Sequence, residues 1–122
     1  MIVEVRTYKT KPGMRDAFIA LFESRSIPGQ RAVGMQVTGP LLDLENPDVF
    51  IFMRAFPSPQ ERDRMKSAFY DGEEWKNELE AIAMPMLESY SSVLTQASPG
   101  FVNEIERGLA SRVLQAEGHA AV

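Results

Sequence analysis

The 122-residue sequence contains no cysteine and only one histidine, His119. Without cysteine there is no disulfide framework, no thiolate nucleophile and no cysteine-based zinc site. With the lone histidine at the fourth position from the end, neither a histidine-dependent triad nor a zinc-protease site is expected. Basic charge is scarce as well: 13 Lys and Arg stand against 17 Asp and Glu, for a net charge of -4, with no concentrated basic block. No electrostatic footprint for a phosphate backbone results, so nucleic acid is not an expected partner. No stretch approaches the roughly 18 uninterrupted apolar residues of a membrane span. Glycine-rich phosphate loops, EF-hand loops and nucleophile elbows are missing, as are repeats of solenoid length. No metal and no cofactor are expected. The opening run from Met1 to Tyr8 alternates polar and apolar residues, unlike a signal peptide, so a soluble cytoplasmic protein is the expectation.

What is present suits one compact domain: 44% hydrophobic and 25% charged residues, with 8 Gly and 8 Pro. Ile2 to Tyr8 alternates with period two and is closed by Lys11-Pro12-Gly13, the pattern of a strand and a turn. From Met14 the period changes. Met14, Ala17, Phe18, Leu21, Phe22 and Arg25 follow helical spacing, and Pro28-Gly29 is expected to interrupt that helix, with a further turn over Gln30 to Val33. Gly34 to Leu44 reads as a second strand, with a bulge or early end at Gly39-Pro40. After the turn cluster Glu45 to Asp48, Val49 to Phe56 is the strongest strand in the chain, and the two strands should form a hairpin.

Ser58-Pro59-Gln60-Glu61 holds both ends of a capping box and opens a helix whose apolar face is Met65, Ala68 and Phe69. Asp71 to Glu74 resembles a second cap, after which Trp75, Leu79, Ile82 and Met86 continue at helical spacing, with Pro85 near the end. Glu88 to Thr95 alternates again. The domain therefore spans residues 1–96, and residues 97–122 form a tail in which Val102, Ile105, Glu106, Leu109 and Val113 suit one more amphipathic helix. The order βαββαβ is the split βαβ, or ferredoxin-like, arrangement of the α+β class.

Right-handed crossovers put both helices on one side of the four-stranded antiparallel sheet and leave the other side bare. In the third strand Val49, Ile51, Met53 and Ala55 point one way, and Phe50, Phe52 and Phe56 the other, with only Arg54 breaking the second set. Three phenylalanines on the bare face would expose roughly 450 Å² of aromatic surface, at the upper end of what monomers tolerate. A second copy of the same sheet, packed about a two-fold axis, is the simplest cover, so a homodimer or higher homo-oligomer is expected. The tail helix is the rival cover.

Glu4-Val5-Arg6-Thr7-Tyr8 followed by Lys11-Pro12-Gly13, the aromatic strand ending at Ala55-Phe56, Ser58-Pro59-Gln60-Glu61-Arg62 and the acidic lead-in from Asp71 to Trp75 occur in an order that resembles the NIPSNAP domain over residues 1–96. The resemblance implies a ferredoxin-like fold that dimerises into an α+β barrel. It also implies a superfamily containing cofactor-independent monooxygenases and haem-degrading enzymes, while NIPSNAP members themselves mostly lack a settled activity. Arg54 departs from the aromatic residue that the resemblance implies at its position.

The first strand places Val3, Val5 and Thr7 on one face, expected beneath the helices, and Ile2, Glu4, Arg6 and Tyr8 on the other. Arg6, Tyr8, Gln36 and Arg54, with Phe52, could then converge between two sheets on a small anionic or enolic ligand. The competing reading is self-satisfaction, with Arg6 paired to Glu4 within or across the dimer and Tyr8 bonded to a backbone carbonyl. Trp75 reads as a core residue before a ligand platform, and Met14, Met53, Met65 and Met86 as core fillers. Three functions follow. The first is a NIPSNAP-like homo-oligomer that binds a small organic molecule between sheets. The second is a cofactor-independent monooxygenase or isomerase in which Arg6 and Arg54 stabilise an enolate, Tyr8 acts as hydrogen-bond donor or acid and Glu4 or the substrate itself supplies the base. The third is a structural protein-interaction module.

Overall fold

The computed structural model describes residues 1–104. The alternating run at the start of the chain is strand β1 (Ile2–Thr10). A continuous helical rod follows, made of α1 (Arg15–Leu21), a π-helical turn (Phe22–Ser26) and α2 (Ile27–Ala32). Pro28 does not interrupt it, contrary to the expectation from sequence. The Ile27 amide bonds the Phe22 carbonyl five residues back, so the hydrogen-bond register has already widened where Pro28 arrives without an amide to donate.

Strands β2 (Gln36–Leu42) and β3 (Val49–Phe56) pair as the expected hairpin, and their register shifts between Thr38 and Leu41 at the cis Gly39-Pro40 bond. Gly39 has φ 120°, and a β-carbon there would lie 3.0 Å from that of Phe52, so the slip requires glycine. Helix α3 (Pro59–Tyr70) starts as expected, with Ser58 Oγ accepting from the Glu61 amide at 3.1 Å. The return arm of the capping box is not made, because the Glu61 carboxylate accepts from Arg64 instead. After Asp71-Gly72 the chain passes through a second π-helical turn (Trp75–Leu79), α4 (Glu80–Ala83) and a 3-10 turn (Met84–Met86) into β4 (Leu87–Gln96). The sheet is antiparallel, in the order β2-β3-β1-β4.

The register decides which face the helices cover. Ile2, Glu4, Arg6 and Tyr8 of β1 stand opposite Phe56, Arg54, Phe52 and Phe50 of β3, and this is the covered face. The three phenylalanines are at most 1% exposed, packed in one cluster with Phe18, Phe22 and Ile27 of the rod and with Met65, Phe69 and Leu79. The sequence-based assignment of faces is therefore reversed: Val3, Val5 and Thr7 lie on the side away from the helices. The larger apolar area lies in the aromatic side chains of sheet and helices, and the charges among them are paired, so this face can be buried. The open face carries Val5, Ile51, Met53 and Ala55, with Leu41 and Val93 on the outer strands 61% and 60% exposed.

Residues 99–104 are helical behind Ser98, whose Oγ accepts from the Phe101 amide at 3.1 Å. The expected stripe positions Ile105, Glu106, Leu109 and Val113, and His119, lie outside the described residues.

Candidate functional site

The site begins with a buried carboxylate. Glu4, fully enclosed in the middle of β1, receives four cations. Arg54, directly opposite on β3, donates from Nη2 at 2.9 Å and from Nε at 3.3 Å to Oε2. Arg6 donates from Nη1 to the same oxygen at 3.2 Å. Arg62 Nε donates to Oε1, and Lys66 Nζ lies 3.7 Å from that oxygen. Burial alone would raise the Glu4 pKa, but the Arg54 charge, the hydrogen bonds from Arg54 and Arg62, and Lys66 outweigh it and bring it to about 2.

Helix α3 supplies its part through spacing. Arg62, Lys66 and Tyr70 recur at i, i+4 and i+8 and so form one row along the helix. Tyr70 takes a 2.7 Å hydrogen bond from Arg54 Nη1, which also donates to Gln30 Oε1 at 3.1 Å. Every nitrogen of the Arg54 guanidinium is engaged. Arg6, also buried, is different: its Nη2 donates to the Tyr8 hydroxyl at 3.0 Å, yet its Nε has no acceptor among the described residues. Its guanidinium lies between rings, 5.3 Å from the Tyr90 centroid and 5.4 Å from that of Tyr8.

The charged cluster borders a cleft of about 550 Å³ between sheet and helices, lined in part by Arg6, Arg62 and Lys66 and walled by Tyr8, Tyr70, Trp75 and Tyr90. Positive charge is in surplus there. Glu80 on the lining and Asp63, 3.7 Å from Arg62, offset only part of it. Consistent with that surplus, the Lys66 ammonium is held below its ordinary pKa, by burial first and then by the neighbouring arginines, against the attraction of Glu4. Tyr8 is pushed up, chiefly by burial, and remains a neutral phenol near pH 7. Tyr8 and Tyr70 each accept from an arginine, and neither O–H has an acceptor among the described residues.

Of the five ligand-site residues expected from sequence, Arg6 and Tyr8 line the cleft, and Trp75, read from sequence as a core residue, lines it as well. Arg54 and Phe52 lie beneath it, 0% and 1% exposed, and Arg54 reaches it only through Glu4 and Tyr70. Gln36 is exposed and pairs with Ala55, which puts it on the opposite face of the sheet. The sequence reading of a Glu4–Arg6 pair is present; the reading of Glu4 as a base is not supported, since a carboxylate held by four cations with a pKa of about 2 has little affinity for a proton. Gln30, Arg62, Lys66 and Tyr70 were missed. For Arg62, Lys66 and Tyr70 the available signal was the polar i+4 row on α3, running beside the apolar Met65–Phe69 row; Gln30, on α2, had none. Among the described residues no group of three or more His, Asp or Glu assembles a possible metal site, and no helix is long and apolar enough to cross a membrane.

The NIPSNAP family model matches residues 3–99. An uncharacterized NIPSNAP domain protein from Burkholderia xenovorans is similar in structure, with a TM-score of 0.73 at 18% identity over 81% of this chain and 96% of that one. A NIPSNAP family protein with unknown function from Agrobacterium tumefaciens gives 0.70 at 23% identity, over 81% and 92% of the two chains. A putative antibiotic biosynthesis monooxygenase from Nitrosomonas europaea gives 0.60 at 15% identity, over 80% and 98%. No curated protein matches the chain. At these identities the structural neighbours speak to the ferredoxin-like α+β fold, and the family match spans most of the sequence. This chain belongs to the NIPSNAP family, a family of uncharacterised function.

Proposed function

We propose that the protein is a homodimer that binds a small organic ligand in the cleft between its sheet and its helices. The observation that carries this reading is the surplus of cations: one enclosed carboxylate faces Arg6, Arg54, Arg62 and Lys66, and three of these four border an open space. A network that only served packing would gain by neutralising itself, because each uncompensated charge near the interior carries a desolvation penalty. An anionic group in the cleft restores the balance. The volume of about 550 Å³ lies within the range of small-molecule sites. The proposed position differs from the inter-sheet cavity expected from sequence, because Arg6 and Tyr8 face the helices.

Dimerisation is supported by the open face. Val5, Ile51, Met53, Leu41 and Val93 form an apolar row that a second copy can cover by a self-complementary contact. An enzymatic reading draws on the two phenols and the cations beside them, which would stabilise a developing oxyanion. Any base would have to be a group other than Glu4, or the substrate itself.

Native mass spectrometry of gently purified protein tests the binding. The expected spectrum shows a bound small molecule, which the double variant Arg62→Gln, Lys66→Gln loses. A spectrum with no ligand, or retention unchanged in the variant, overturns the reading.

A further inference from the structure

We propose that the ligand is an aromatic carboxylate, its acid group among Arg6, Arg62, Lys66 and the Tyr8 and Tyr70 hydroxyls and its ring against Trp75 and Tyr90. This rests on the cleft reading above and deepens it by naming the chemical class.

The polar end is argued from the unspent donors. Arg6 lines the cleft with two of its five N–H donors committed, one to Glu4 and one to Tyr8, and among the described residues neither the Tyr8 nor the Tyr70 O–H has an acceptor, so this part of the cleft offers hydrogen atoms and lacks oxygen atoms. Arginine and phenol donors suit a carboxylate, which accepts through two oxygens and four lone pairs. The amount of charge favours a single negative group. Glu4 already answers one cation, and Glu80 and Asp63 reduce the remainder, so the two charges of a phosphate monoester would exceed what the site neutralises at a higher desolvation cost.

The apolar end is argued from the walls. Tyr70 and Trp75 meet edge to face, with centroids 5.2 Å apart at 90°, and Tyr8 and Tyr90 lie 5.5 Å apart at 46°. Neither pair stacks face on face, an arrangement that leaves ring faces for a flat ligand, which gains more from aromatic contact than a saturated one of equal size. One or two rings suit the volume.

Isothermal titration calorimetry of the whole chain distinguishes the classes with four probes: 2-naphthoate, naphthalene-2-carboxamide, cyclohexanecarboxylate and phenyl phosphate. 2-Naphthoate is expected to bind; naphthalene-2-carboxamide should bind about tenfold or more weakly because it loses hydrogen bonds to a charged group, cyclohexanecarboxylate more weakly because it loses the aromatic contact, and phenyl phosphate more weakly because its second charge is not neutralised. Lys66→Gln, at a side chain 29% exposed, is expected to stay folded and to weaken 2-naphthoate by about tenfold. Trp75→Leu should reduce its advantage over cyclohexanecarboxylate. The proposal is overturned if the amide or the phosphate binds as tightly as the naphthoate, or if both variants bind it unchanged. If none of the probes binds while the purified protein still carries a small molecule, the chemical class is wrong and the cleft reading stands. If neither probe nor carried molecule is found, both fall.

Discussion

Arg54 Nη2 donates to Glu4 Oε2 at 2.9 Å between directly opposed positions on β3 and β1, and neither side chain reaches solvent. Removing one partner strands the other in the interior. Glu4→Gln keeps the shape of the side chain and removes the charge, leaving the buried Arg54 guanidinium uncompensated. It is expected to cost about 3 to 5 kcal/mol in a urea titration at pH 7. A loss below about 1 kcal/mol would mean that the carboxylate does not hold the cluster together.

The same carboxylate sets the acid limb of stability. Its folded pKa of about 2 lies below the ordinary 4.5, so the folded state binds the proton less tightly than the unfolded state does. The stabilisation is therefore fully present above about pH 4.5 and is lost as the pH falls toward 2, and it amounts to about 3 kcal/mol by linkage. Urea midpoints measured between pH 5 and pH 2 should fall steeply in the parent protein and less steeply in Glu4→Gln. Parallel curves would show that other carboxylates control acid unfolding.

Phe52 packs under the helices, 4.6 Å between ring centroids from Phe22 and 5.1 Å from Tyr8. Phe52→Ala should cost about 3 to 5 kcal/mol, because the surrounding rings cannot close on the vacated space. This cost arises inside one subunit, so the loss should be independent of protein concentration. A concentration-dependent loss would instead place Phe52 at a contact between subunits.

The element order was legible in the sequence because each element carries its own signal: alternation in β1, an aromatic and β-branched run in β3, a capping serine at Ser58, glycine and proline at the β2 slip. The orientation of the sheet was not. Both faces of β3 are apolar, so a period of two cannot say which of Phe52 or Met53 meets the helices, and that parity also decides that Gln36 leaves the site. Arg62 and Lys66 were missed because a charged helix residue gains a buried partner only through contact with a distant strand. Glu4 lies 58 positions from Arg62. Pro28 read as a stop because a π-helical turn has no recognisable proline rule in sequence, although the chain stays helical through it.

The reversed orientation changes which residues the proposed dimer would rest on. Ile51 and Met53 stand at the centre of the open face, opposite Thr7 and Val5 on β1, while the phenylalanines of the same strand are turned inward. A charge at Ile51 should leave the aromatic core untouched and oppose burial of the open face, because an unpaired charge in an apolar contact carries a large desolvation cost. Ile51→Lys is therefore expected to retain the parent circular dichroism spectrum and to sediment as a monomer at micromolar concentration where the parent sediments as a dimer. If the parent is itself monomeric at that concentration, or if Ile51→Lys remains dimeric, the open sheet face is not the subunit contact.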